Sequence, residues 1–171
     1  MRQPLIDPES KFTPPETVQI GPYNLAPITT EIAYEDWQAL QSNVGAIALQ
    51  RGDSPARDAW PQNCTLEENI KDLAWLERCH EYWQLFSYVM RREEVYSGCV
   101  YIYPIELFQR DKAADYDVDF SFWLTQTEYD KGEYEPTFRR LYNWLSTEWP
   151  FVKERIYLRN AQIPHDLRQT K

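Results

Sequence analysis

Asp117, Asp119 and Ser121 stand two residues apart in a run of alternating polar and apolar side chains. In a strand all three share one face, where the two carboxylates either converge on a groove or stand in solvent. Other material for catalysis is sparse. His165, within Ile-Pro-His-Asp, could serve as a base, but a lone histidine in a tail reads first as a surface residue. Tyr103 and Tyr157 read as core or edge residues rather than general acids. No Ser-His-Asp or Cys-His grouping emerges from the spacing. Cys64, Cys79 and Cys99 include no CxxC pair, and an odd number argues against a disulfide framework. They read as reduced, packed thiols of a cytosolic protein. His80 and His165 lie far apart with no neighbouring Cys or His, so no metal site is expected.

The elements that must position these residues follow from periodicity. Tyr116 to Leu124 is the best strand in the chain. Tyr116, Val118, Phe120 and Phe122 fall on one face; Asp117, Asp119, Ser121 and Trp123 fall on the other. Before it, Gln84 to Met90 and Val95 to Tyr103 read as a hairpin joined by Arg91-Arg92-Glu93-Glu94. Ile105 to Ala114 is a charged connection. After it, Pro136 suits a first helical turn, and Phe138, Leu141, Tyr142, Leu145 and Trp149 give that helix an apolar stripe. Arg155 to Arg159 reads as a last strand, followed by a short polar tail from Ala161.

Upstream, Tyr34, Trp37, Leu40 and Gln41 have helical spacing, in a helix interrupted near Gly45. A loop runs from Gly52 to Asn63. Thr65-Leu66-Glu67-Glu68 is a capping box, behind which Leu66, Ile70, Leu73, Ala74 and Glu77 trace one helix face. Residues 1–27 carry six of the twelve prolines and read as an extended arm, with Leu5, Ile6, Phe12, Val18 and Ile20 laying it on the domain surface. Residues 28–171 form one domain. A terminal strand–helix–strand unit implies a parallel pair, and the hairpins imply antiparallel ones. The fold class is therefore α/β (α+β), a mixed, mostly antiparallel sheet with helices on both faces.

Composition limits the function. Eighteen Lys and Arg against 27 Asp and Glu leave a formal charge of −9, which argues against general nucleic-acid binding and eases that of a cationic or neutral partner. Seven Trp, twelve Tyr and seven Phe read as an aromatic core rather than a binding face. No stretch approaches the length of a membrane span or signal core, so cytoplasm is the expected compartment.

From about Tyr23 onward, order and pattern resemble the GNAT superfamily of acetyl-CoA-dependent N-acyltransferases. Val118-Asp119-Phe120-Ser121-Phe122-Trp123-Leu124 stands where the family's fourth strand would be, and Tyr129-Asp130-Lys131-Gly132-Glu133-Tyr134 at its pyrophosphate turn. Pro136 to Trp149 is the helix, and Ile156-Tyr157-Leu158-Arg159-Asn160 the next strand. The resemblance implies acetyl-CoA as cosubstrate and an amine acceptor, with Asp119 or Asp117 as base. Backbone amides of Phe122, Trp123 and Leu124 would polarise the thioester, and Lys131, Gly132 and Asn160 would contact the coenzyme.

Two departures fall on that chemistry. The family's turn has the pattern Gln/Arg-x-x-Gly-x-Gly/Ala, whereas here Gly132 is kept but Asp130 and Tyr134 occupy the flanking positions. Glu128, Asp130, Glu133 and Glu135 surround it, and each carboxylate within several ångströms of a phosphate costs on the order of 2 kcal/mol at an effective dielectric near 20. The same residues also read simply as an acidic first turn stabilising its helix. Family members continue past the strand-ending Asn with a helix and two strands; here eleven residues follow Asn160. The expectation is that the arm or a second subunit covers the sheet edge, in a homodimer if the latter. Two functions stay open: an N-acetyltransferase with weakened or lost activity, or a non-catalytic domain that binds a protein partner or itself.

Overall fold

The computed structural model describes residues 2–52 and 60–169, built on a single six-stranded sheet in sequential order, β1 to β6. The strands are β1 (Val18–Ile20), β2 (Tyr23–Pro27), β3 (Phe86–Arg92), β4 (Val95–Pro104), β5 (Val118–Leu124) and β6 (Ile156–Leu158). Pairing is antiparallel from β1 to β5 and parallel between β5 and β6. Helices α1 (Ala33–Ser42), α2 (Val44–Arg51) and α3 (Leu66–Glu81) cover one face. The short α4 (Gln126–Asp130) follows β5, and α5 (Tyr134–Glu148) covers the other face. The expected mixed sheet with helices on both faces is what the chain forms.

Two cores follow from the period of two in β5. Val118, Phe120, Phe122 and Leu124 pack with Phe138, Leu141, Trp144 and Leu145 of α5. Trp123 enters the opposite core with Leu40, Ile47, Leu73 and Leu76. Asp119 and Ser121 lie on that same side and are buried, whereas Asp117, just before the strand, is exposed, so the face is solvated only at that end.

The capping box at α3 forms in both directions: the Glu68 amide donates to Thr65 Oγ1 and the Thr65 amide to Glu68 Oε2. Its buried stripe, however, is Asn69, Leu73, Leu76 and Cys79, rotated from the expected face, so that Ile70 and Trp75 are exposed. On α1 the buried residues are Ala33, Asp36 and Leu40, while Tyr34 is exposed.

The proline-rich start, read as an extended arm on the domain surface, also enters the sheet. Its last ten residues supply β1 and β2, because Pro22 and Pro27 fall at the strand ends, where a missing donor removes little from the ladder. Tyr23 and Leu25 are buried, and Leu5, Ile6, Phe12, Val18 and Ile20 all pack on the α5-side core. This places the segment at the edge opposite β6, so it does not cover that strand. The chain's own tail lies there instead: Ile163 and Leu167 join the core, and Gln169 Nε2 donates to the Ile156 carbonyl at 2.7 Å. Of the loop expected from Gly52 to Asn63, residues 53–59 lie outside the described residues.

One glycine is dictated by packing. Gly98 on β4 has φ +150°, and a Cβ there would sit 2.0 Å from the Trp123 carbonyl oxygen.

Candidate functional site

The sheet is interrupted where the sequence pointed to a coenzyme. Backbone pairing of β5 with β6 runs from Val118–Ile156 to Phe120–Leu158, and the Arg159 amide adds a bond to the Phe120 carbonyl at 3.0 Å. Beyond that point side chains replace backbone. Asn160 Oδ1 accepts from the Phe122 amide at 3.1 Å, and its Nδ2 donates to the Phe122 carbonyl at 3.0 Å. Gln50, the penultimate residue of α2, repeats the device two residues on. Its Oε1 accepts from the Leu124 amide at 2.7 Å and its Nε2 donates to the Leu124 carbonyl at 2.8 Å. A primary amide can do this because it carries an acceptor and donors side by side, as a peptide group does. Both residues are buried. Tyr134 Oη closes the end of the groove, donating to the Gln162 carbonyl at 2.6 Å and accepting from Asn160 Nδ2 at 3.0 Å.

The structure thus brings Phe122, Leu124 and Asn160 together, with their polar groups directed at one another. Trp123 points away, into the α1–α3 core, where its Nε1 donates to Tyr101 Oη at 3.2 Å. Lys131 and Gly132 lie in the connection between α4 and α5. The Lys131, Gly132 and Glu133 amides already donate to the carbonyls of Thr127, Tyr129 and Glu128. These amides form no cradle for an anion of the kind that unpaired helix-start N–H groups provide. Lys131 Nζ lies 3.0 Å from Glu128, and Arg92 lies 3.0 Å from Glu128 and 2.9 Å from Glu133. Tyr23 Oη adds a hydrogen bond to Glu128 at 2.8 Å. Burial alone would raise the Glu128 pKa, but Lys131, Tyr23 and Arg92 outweigh it and hold the carboxyl below its usual range. Glu128 and Glu133 are thus paired with Arg92 and Lys131 in a structural knot, while Asp130, among the described residues, accepts only from the neutral Gln126 amide at 2.7 Å.

Each proposed base has its own arginine. Asp117 takes two hydrogen bonds of 2.7 Å from Arg155, which hold its pKa down. Asp119 is buried against Arg159, whose Nε donates at 3.0 Å and whose Nη2 contacts the other oxygen. Burial raises its pKa, opposed by that guanidinium. The two carboxylates therefore do not converge on one groove. His165 is exposed, and Cys64, Cys79 and Cys99 are free and buried. Among the described residues no group of three His, Cys, Asp or Glu could hold a metal, and no helix is long and apolar enough to cross a membrane.

Sequence reasoning missed the cavity beneath α1, α2 and α3. It holds about 750 Å³ and is lined on the sheet side by Tyr101 and Tyr103 of β4, Tyr157 of β6 and Arg159 just after β6. Asp36 lines it, accepting hydrogen bonds from Tyr96 Oη at 2.5 Å and Asn69 Nδ2 at 2.9 Å. Arg51, at the end of α2, reaches in from one side. No local signal marked Gln50, Arg51 or Asp36, since polar residues on an amphipathic helix ordinarily face water.

No family model matches the sequence, and no curated protein matches it. Solved structures do. The RimL ribosomal L7/L12 alpha-N-protein acetyltransferase in complex with coenzyme A superposes with a TM-score of 0.56 at 15% identity, over 77% of this chain and 68% of that one. The ribosomal-protein-S5-alanine acetyltransferase from Vibrio fischeri gives 0.55 at 16% identity, over 76% and 67%. The microcin C7 self-immunity acetyltransferase MccE, in complex with acetyl-CoA and AMP, gives 0.54 at 12%, over 77% and 67%. Identities of this size speak to architecture, and the architecture shared with all three is unambiguous: this chain has the GNAT acetyltransferase fold.

Proposed function

We propose that this chain is an N-acetyltransferase-like protein in which binding of acetyl-CoA is weakened or lost. The double amide clamp on β5 carries the reading. A coenzyme laid along this strand would bind through its backbone N–H and C=O groups, as an added strand does, and the same amides would polarise the thioester. At Phe122 and Leu124 those groups are held by Asn160 and Gln50. The α4–α5 connection adds to the case, because its amides are spent and Arg92 and Lys131 are paired. The residues present do not fit the coenzyme, and both carboxylate oxygens of Asp119 are already engaged by Arg159.

A second reading is a working acetyltransferase acting on an amine. It is favoured by the fold itself, shared with proteins solved with coenzyme A and with acetyl-CoA, and by each clamp being one side-chain amide that rotates on single bonds. Calorimetric titration of the full chain with acetyl-CoA and free CoA at moderate salt separates the two. No heat, with no shift in melting temperature, is expected on the first reading. Micromolar binding would overturn it and call for a screen of amine acceptors.

A further inference from the structure

The cavity under α1–α3 holds a guanidinium that no carboxylate of the described residues pairs. We infer that it is a binding site for a small organic anion with an aromatic or apolar body, recognised by the Arg51 guanidinium. The volume, about 750 Å³, lies within the range of small-molecule sites. Its walls are aromatic: Trp60, Trp75, Tyr101, Tyr103 and Phe108 all face it, and Trp75 and Phe108 are exposed at the mouth. Such rings supply apolar contact at little conformational cost.

The charge balance selects the sign of the ligand. Two guanidinium groups line the cavity, Arg51 and Arg159. Arg159 is neutralised by buried Asp119 and lies over the Phe108 ring at 5.1 Å. Arg51 has no such partner: no carboxylate of the described residues lies within ion-pair distance of it. Its one hydrogen bond among them is to Ser121 Oγ, at a long 3.3 Å. The rings of Trp60 and Tyr101 stand 5.2 and 5.0 Å from its central carbon. Arg51 is half-buried, and taking part of a guanidinium out of water is unfavourable unless an opposite charge meets it. Burial pushes its pKa down from the ordinary value, as an uncompensated charge should show. A carboxylate or phosphate matches the planar fork of donors that remains. The acidic groups on the lining are Asp36 and Asp72; the first is already bound by Tyr96 and Asn69, and burial raises the pKa of both. Neither forms an ion pair with Arg51.

The inference does not depend on whether the coenzyme binds, and its test is separate. Phenylacetate, phenyl phosphate and the neutral phenylacetamide are titrated into the full chain, following tryptophan fluorescence and the indole N–H resonances of Trp60 and Trp75. Either anion should bind at least about tenfold tighter than the amide, the ratio a charge-assisted pair supplies. The stronger of the two distinguishes a carboxylate ligand from a phosphate ester. Arg51→Gln should abolish the preference while leaving weak binding of the amide, and Trp75→Ala, at the exposed mouth, should weaken all three. Equal affinity for anion and amide, an unchanged preference in Arg51→Gln, or no binding to any probe would overturn the inference. Should Arg51→Gln fail to fold, the anion-to-amide ratio in the unaltered protein decides it.

Discussion

Replacing Gln50 by alanine is the perturbation that bears most directly on how the sheet is closed. The side chain is fully buried and its amide satisfies the Leu124 N–H and C=O at 2.7 and 2.8 Å. A third bond runs to the Ala46 carbonyl at 3.1 Å, one turn back along α2. Truncation leaves two backbone groups of β5 buried without partners, each costing about 1–3 kcal/mol, and opens a void beside them. The expected loss is about 3–5 kcal/mol, which for a chain of this size lowers the melting temperature by roughly 6–20 °C. Urea denaturation followed by circular dichroism, with the slope on denaturant checked for constancy, measures it. A loss below about 0.5 kcal/mol would refute the reasoning, because it would mean that water reaches Leu124 freely. The groove would then be open, and the main objection to a bound coenzyme would disappear.

Gly98→Ala places a methyl 2.0 Å from the Trp123 carbonyl oxygen at a φ of +150°, so it should destabilise the chain by about 3 kcal/mol or more; a cost below 1 kcal/mol in the same denaturation assay would contradict the geometry. Burial pushes the His80 pKa down from the ordinary 6.5 to about 4, and its Nδ1 accepts from the Ser87 amide at 3.3 Å, a contact that only a neutral ring makes. The unfolded ring protonates where the folded one does not. This contribution is therefore intact above pH 6.5 and lost as pH falls from there towards 4, by about 3 kcal/mol in all. His80→Gln should flatten the fall in stability over that window, and an unchanged slope would show that other groups cause it.

Much of the fold was legible because local chemistry is periodic. The alternation in Val118 to Leu124 marked a strand with one apolar face, Thr65 and Glu68 marked the start of a helix, and strand–helix–strand order required a parallel pair. Proline misled at residues 18–27: a missing donor says where a ladder bond is absent, and these prolines fall where few are needed. The α3 face was misjudged because Ile70 and Trp75, though apolar, are exposed, while Asn69 is buried through its bonds to Asp36 and Ala33.

The candidate site divides in the same way. The resemblance read from the sequence implied one location for Phe122, Leu124 and Asn160, and composition showed an acidic turn around Gly132, because the order of elements and the residue types are properties of the chain itself. Only the tertiary structure decided what those residues do there. Gln50 meets Leu124 across 74 positions, Asn160 meets Phe122 across 38, and Arg159 meets Asp119 across 40. Hydrogen bonds between such distant partners leave no trace in local periodicity, since each residue taken separately suits a solvated helix end or strand as well as a buried clamp. The same holds for Arg51, which becomes a half-buried charge in an aromatic cavity only when α2 is laid across the sheet.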